Sequence, residues 1–123
     1  MLIGDLFKDY GQLPEYIGIR LLDVNQVSLF GDRPINIAAT RGSISELEVL
    51  VSLGADVNSA GEHGYTPLHN AVEQGMVVAV KWLLERGANK EAVNDAGMTP
   101  RELALVLDEK ELVEMLNDQF DLP

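Results

Sequence analysis

The sequence predicts an all-α fold: a solenoid of stacked helix-turn-helix units joined by β-turn, hairpin-like loops, in a single domain over residues 1–123. Three observations carry this reading. Pro34, Pro67 and Pro100 recur every 33 residues, and Gly31, Gly64 and Gly97 keep the same interval. Ala38, Ala71 and Ala104 fall into register with them, as do Leu50, Leu83 and Leu116. A period of this length marks a chain built from one supersecondary unit used several times.

The elements follow in order. Residues 1–29 form a degenerate N-terminal cap, where Leu2, Ile3, Leu6, Phe7 and Tyr10 have the spacing of an amphipathic helix. Pro14 would fall inside the second helix of a full unit and Gly11 near its start, so this unit is incomplete. Tyr16 to Leu22 reads equally as helix or as extended chain. Asp23-Val24-Asn25 matches Asp56-Val57-Asn58 one period on, so the phase is kept. Residues 30–60 and 61–93 are repeats, and 94–123 a C-terminal capping repeat.

The middle repeat shows the local logic. Gly64 suits a tight turn, Thr66 caps a helix, and Pro67 takes the first helical position, where its missing N–H costs nothing. This first helix runs to about Gln74 and Gly75 ends it. A second helix from about Val77 to Arg86 sets Val77, Val80, Lys81 and Leu84 along one side, and Gly87 terminates it. Trp82 in that helix is read as core or groove packing. Two short helices cannot bury their apolar sides alone, so the units must stack, with the small alanines letting the first helices approach closely.

Composition sets bounds on function. At 123 residues and 46% apolar content, the chain forms one core that buries about two thirds of its unfolded surface. No apolar run approaches the ~20 residues that cross a bilayer, and Asp5 stands where a secretory leader would be basic, so the expected location is the cytoplasm. Cysteine is absent, which removes disulfides and thiolate chemistry. Nine basic against twenty acidic residues give a formal charge of −11, which repels nucleic-acid phosphates and anionic membranes and favours a basic partner; the same surplus also serves plain solubility.

"GYTPLHNAVEQG" followed by "VVAVKWLLERGAN" closely resembles the ankyrin-repeat signature. Residues 31 to 58 are similar to a preceding repeat with Arg33 and Asn36 where the signature has Thr and His. Residues 97 to 116 resemble a terminal capping repeat with Arg101-Glu102 in place of Leu-His. The resemblance covers about residues 23 to 118 well. On the last unit, Glu102, Asp108, Glu109, Glu111, Glu114 and Asp118 would keep the outer side wet. The resemblance implies that His69 ties its own turn to the next through backbone hydrogen bonds.

Other chemistry finds little support. His63 and His69 point to different sides of the backbone and no third metal ligand is indicated, so no metal and no cofactor are expected. No acid and base are placed across an apolar cleft, and the Gly-rich turns lack a phosphate-loop ending. Ser28, Ser43, Ser45, Ser52 and Ser59 read as caps and surface positions. The chain is expected not to be an enzyme.

The resemblance also implies a concave binding surface made of the turn tips and the exposed sides of the first helices. Position by position, the partner-binding candidates are Phe30, Asp32, Arg41, Glu62, His63, Tyr65, Glu73, Gln74, Asp95 and Met98, with Thr40, Val106 and Leu107 at corresponding exposed sites. Phe30, Tyr65 and Met98 are candidate anchors, and Asp32, Glu62, Glu73 and Asp95 an acidic rim. The function expected is protein binding by a chain that is monomeric on its own. Its most concrete form is a bacterial immunity or antitoxin-type protein that neutralises a basic toxin domain, because small ankyrin proteins similar to this one occur among toxin neutralisers. The alternative is an adaptor or regulatory subunit that binds a cellular enzyme or regulator.

Overall fold

The computed structural model describes residues 2–18 and 20–117. Along the chain lie α1 (Ile3–Tyr10), a 3₁₀ turn at Pro14–Tyr16, α2 (Pro34–Arg41), α3 (Ile44–Ser52), a 3₁₀ turn at Glu62–Gly64, α4 (Pro67–Glu73), α5 (Val77–Glu85), α6 (Pro100–Val106) and α7 (Lys110–Met115). Among the described residues there is no strand, and no helix is long and apolar enough to cross a membrane.

The three prolines open three equivalent helices. Each stands at the start of its helix behind an extended residue, Arg33, Thr66 or Thr99. The hydroxyls of Thr66 and Thr99 accept from the amides of His69 and Glu102, which satisfies an N–H that the first turn leaves orphaned. Arg33 has no oxygen to offer in this way. There Asn36 supplies the reciprocal half of the cap, its Oδ1 accepting from the Arg33 amide at 3.0 Å.

The helices end one residue earlier than the sequence suggests: α4 stops at Glu73 with Gln74 as its cap, and α5 stops at Glu85 with Arg86 as its cap. Gly42 and Gly75 then take left-handed backbone, at φ 68° and 66°, to turn the chain into the second helix. Asp108 sits at the equivalent place in the last unit with φ 57°. A side chain there carries strain that glycine does not. Asp108→Gly is therefore expected to raise the melting temperature by the equivalent of about 0.5 kcal/mol, checked by thermal unfolding.

The helices pack in two layers. The first helices α2, α4 and α6 lie side by side, the second helices α3, α5 and α7 lie behind them, and α1 rests on α3. Ala38, Ala71 and Ala104 are fully buried at the crossings, and Leu50, Leu83 and Leu116 fill the space between the layers. This alternation of small and large residues gives each pair a surface that its neighbour covers. Trp82 is buried, with the Arg86 guanidinium 4.1 Å from its ring centre.

The N-terminal segment is a cap of another shape. Leu6 and Tyr10 of α1 are buried against the stack, and the Tyr10 hydroxyl donates to Glu46. Burial, reinforced by that carboxylate, pushes the Tyr10 phenol far above its ordinary value, so it remains a donor. The Arg41 guanidinium lies 4.7 Å from the Tyr10 ring centre and pairs with Asp9 at 2.7 Å and Glu46 at 3.4 Å. At residues 17–18 and 20–22, beyond the 3₁₀ turn, the chain is neither regular helix nor strand. Ile19 of that stretch lies outside the described residues.

At the other end, Glu102, Asp108, Glu111 and Glu114 are exposed and Glu109 is half-buried, while Asp118 lies outside the described residues. Leu105 is exposed beside them, over a shallow hollow it shares with Lys110 and Val113.

Candidate functional site

Three turns project from one edge of the stack, each closed by the same hydrogen bond: Ser28 N to Asp32 O at 2.7 Å, Gly61 N to Tyr65 O at 2.8 Å, and Asn94 N to Met98 O at 2.9 Å. Two of the turns are organised from inside. The Ser28 hydroxyl accepts from the amides of Phe30 and Asp32, and Asn94 Oδ1 accepts from those of Ala96 and Met98. Ser28 is buried. This corrects its reading as a cap or surface serine, because the hydroxyl must sit inside the turn to reach two amides at once.

The turns are also tied sideways. Asp32 Oδ1 accepts from the Glu62 amide at 2.9 Å, and the His63 carbonyl accepts from the Asp95 amide at 3.0 Å. Gly61 makes the first tie possible, since a Cβ there would lie 2.3 Å from Asp32 Oδ1. The row of tips is therefore a connected edge rather than three independent loops.

Beneath the tips runs a second line of ties. His69 is fully buried; its Nδ1 accepts from the Thr66 amide at 3.1 Å, so the proton resides on Nε2, which donates to the Met98 carbonyl at 2.8 Å. Burial holds this imidazole below its ordinary pKa, although the Met98 carbonyl pulls the other way. Asn36, also fully buried, does the same one repeat earlier, donating to the carbonyls of Ser59 at 3.1 Å and Tyr65 at 3.2 Å. Tyr65 and Met98 are one period apart, so Asn36 and His69 are equivalent rivets built from different residues.

The candidate residues sort by place. Glu62, His63, Tyr65, Glu73, Asp95 and Met98 gather around the second and third tips, where an open groove is lined by His63, Tyr65, Asp95 and Met98 together with Asn94 and Ala96. The Tyr65 ring leans on His69 with centroids 5.4 Å apart, and its hydroxyl donates to Glu73 at 2.8 Å. Burial together with the Glu73 carboxylate pushes the Tyr65 phenol up to about 12. Met98 is half-buried against the core and His63 is exposed, 3.5 Å from Glu62. Gln74 is exposed on the end of the first helix. Phe30 is 52% exposed on the first tip, and Asp32 beside it is half-buried by its tie to Glu62. Arg41 stands apart, its charge committed to Asp9 and Glu46 on the N-terminal flank.

Glu15 is a residue of this edge that sequence reasoning missed. The Ser28 hydroxyl donates to its Oε2 at 3.0 Å. Burial raises its carboxyl to about 7, with the charges of Asp32 and Glu62 adding to the rise and the Ser28 hydroxyl opposing it. No sequence signal pointed to it, because the repeat phase places Glu15 in a second helix that this unit does not form. A carboxyl with a raised folded pKa binds its proton in the native state, so its contribution falls as pH rises from about 4.5 to 7 and is flat above. Glu15→Gln, a mimic of the protonated form, is expected to melt higher than the parent at pH 8 and equally at pH 4.5, as thermal scans at both pH values would show.

Among the described residues no group of three or more His, Asp or Glu is placed to hold a metal ion. The geometry offers a hydrogen-bonded, largely acidic edge with a shallow groove and an adjoining row of helix sides. Such a form suits contact with a macromolecular surface better than enclosure of a small substrate.

A stack of short helix pairs that presents a row of linked turns is a repeat scaffold for protein binding. The family model for ankyrin repeats, three copies, matches residues 13–94, more than half of the chain, and the chain belongs to the ankyrin-repeat family. Domains of this family are protein–protein interaction modules and are generally not enzymes. No curated protein shows significant sequence similarity to the chain.

Proposed function

We propose that this chain, a single domain divided into the units given above, is a non-catalytic module that grips the basic surface of one protein partner with its turn edge and the adjoining first-helix sides. The observation that carries the proposal is the groove between the second and third tips: a half-buried Tyr65 and Met98 form an apolar floor, Asp95 lines it, and Glu62 and Glu73 adjoin it through His63 and the Tyr65 hydroxyl. Tyrosine is a common interface anchor, and like-signed charge around it speeds encounter with a partner of opposite sign. The formal charge of −11 extends that field over the whole molecule.

The most concrete form of the proposal is a cytoplasmic, monomeric neutraliser that occupies the basic surface of a toxin domain. Affinity capture from the native cell, followed by mass spectrometry and titration calorimetry with the captured protein, tests it. Recovery of a basic toxin supports this form; recovery of a cellular enzyme or regulator assigns an adaptor role instead. Replacing Tyr65 and Glu62 together with Ala is expected to weaken the captured complex by about tenfold or more. The backbone ties of both residues survive these changes, so helical content should stay the same. Unaltered affinity would move the site away from this groove.

A further inference from the structure

The exposed ends of the first helices change character along the stack in a way that specifies the partner's contacting segment. One register of the repeat places Thr40, Glu73 and Val106 at equivalent points of α2, α4 and the end of α6, and the next places Arg41, Gln74 and Leu107. All six are exposed. The bond from the Tyr65 hydroxyl to Glu73 shows that the register of Thr40, Glu73 and Val106 faces the turns, since it joins the end of α4 to the second tip. On the first unit this register is polar, and Arg41 is paired with Asp9 and Glu46. On the second it is acidic. On the third it is aliphatic, with Val106 70% and Leu107 42% exposed.

We propose that the ligand of this surface is a segment of the partner in polyproline II conformation that carries a Lys or Arg and an aliphatic or aromatic side chain three positions apart. The inference rests on the protein-binding reading above and names the chemistry of what is bound. Adjacent packed helices lie about 8–10 Å apart, so the Glu73 and Val106 positions are separated by roughly that distance. In a polyproline II conformation the chain has three residues per turn and rises about 3.1 Å per residue, so side chains three positions apart lie on one face and span about 9 Å as the segment crosses from α4 to α6. The basic residue meets Glu73, with Asp95 and Glu62 behind it, and the apolar residue covers Val106 and Leu107. Charge complementarity selects the segment, because the acidic helix and the apolar helix are neighbours and a purely basic or purely apolar segment satisfies only one of them.

The test is selection of phage-displayed random dodecapeptides on the full chain, with synthetic versions of the enriched peptides measured by fluorescence anisotropy. The expected result is enrichment of a basic and an apolar residue three positions apart. Val106→Asp with Leu107→Asp should weaken those peptides by about tenfold, and Glu73→Lys should do the same. Both changes are on exposed positions, and an unchanged circular-dichroism spectrum confirms that the fold survives. A Glu73→Lys chain that instead favours peptides with an acid in the basic position supports the pairing directly. Enrichment of basic residues without an apolar companion, of pairs at another spacing, or of peptides insensitive to the Val106/Leu107 change overturns the inference. So does the absence of any enrichment. In each of these cases the capture experiment still decides whether the turn edge binds a folded basic protein, so the two readings fail separately.

Discussion

Leu83→Ala is expected to lower the free energy of unfolding by about 2–5 kcal/mol, the range for removing a fully buried leucine from a packed core. Leu83 lies in α5, between the layers, where the helix pairs before and after it both press on the middle unit. The surrounding backbone is held by its own repeat contacts and cannot close the space left behind, so the upper half of the range is the more natural outcome. Urea unfolding measures the loss. A midpoint shift with unchanged slope is expected, and a loss within experimental error would contradict the stacking that the fold depends on.

His69→Ala is expected to cost about 2–4 kcal/mol, because it orphans the Thr66 amide, takes from the Met98 carbonyl one of its two donors and opens a cavity. The damage should be directional. Amides of α6 and α7 should lose protection from hydrogen exchange more than those of α2 and α3, since each unit leans only on its neighbours. His69→Asn should recover part of the loss, because Asn36 already performs the equivalent tie one repeat earlier. The imidazole also sets a pH dependence. Its pKa is lowered on folding, so its contribution is present above the unfolded value of 6.5 and is lost as the pH falls below it. This slope is opposite in sign to that of Glu15, and the two overlap in mildly acidic solution. Thermal scans of the single variants against pH separate them: Glu15→Gln should steepen the acid loss and His69→Asn should flatten it.

Much of the fold was legible because its rules are local. A proline at the first helical position, a threonine before it and a glycine after the last turn each act within a few residues, and a fixed step of 33 residues repeats them. Where the local rule is altered, the outcome depends on contacts between repeats. Arg33 and Asn36 replace the capping pair in the first repeat, and it is the packing of the next repeat that lets Asn36 still rivet the two together. Ser28 looked like any surface serine, since nothing nearby in sequence announces that it sits inside a turn. Arg41 occupies the register of a partner-facing residue, yet α1 brings Asp9 to it across 32 positions.

The candidate surface divides along the same line. By itself the sequence determined the all-helical repeat, the glycine-flanked turns and the excess of acid, because periodicity and composition are properties of the chain as a string. Only the tertiary structure decided that Glu15 joins Asp32 and Ser28, that Tyr65 bridges to Glu73, and that an acidic helix side adjoins an apolar one. Those juxtapositions depend on how an irregular N-terminal segment and successive helix pairs settle against one another, and such contacts are set by packing between residues far apart in the chain.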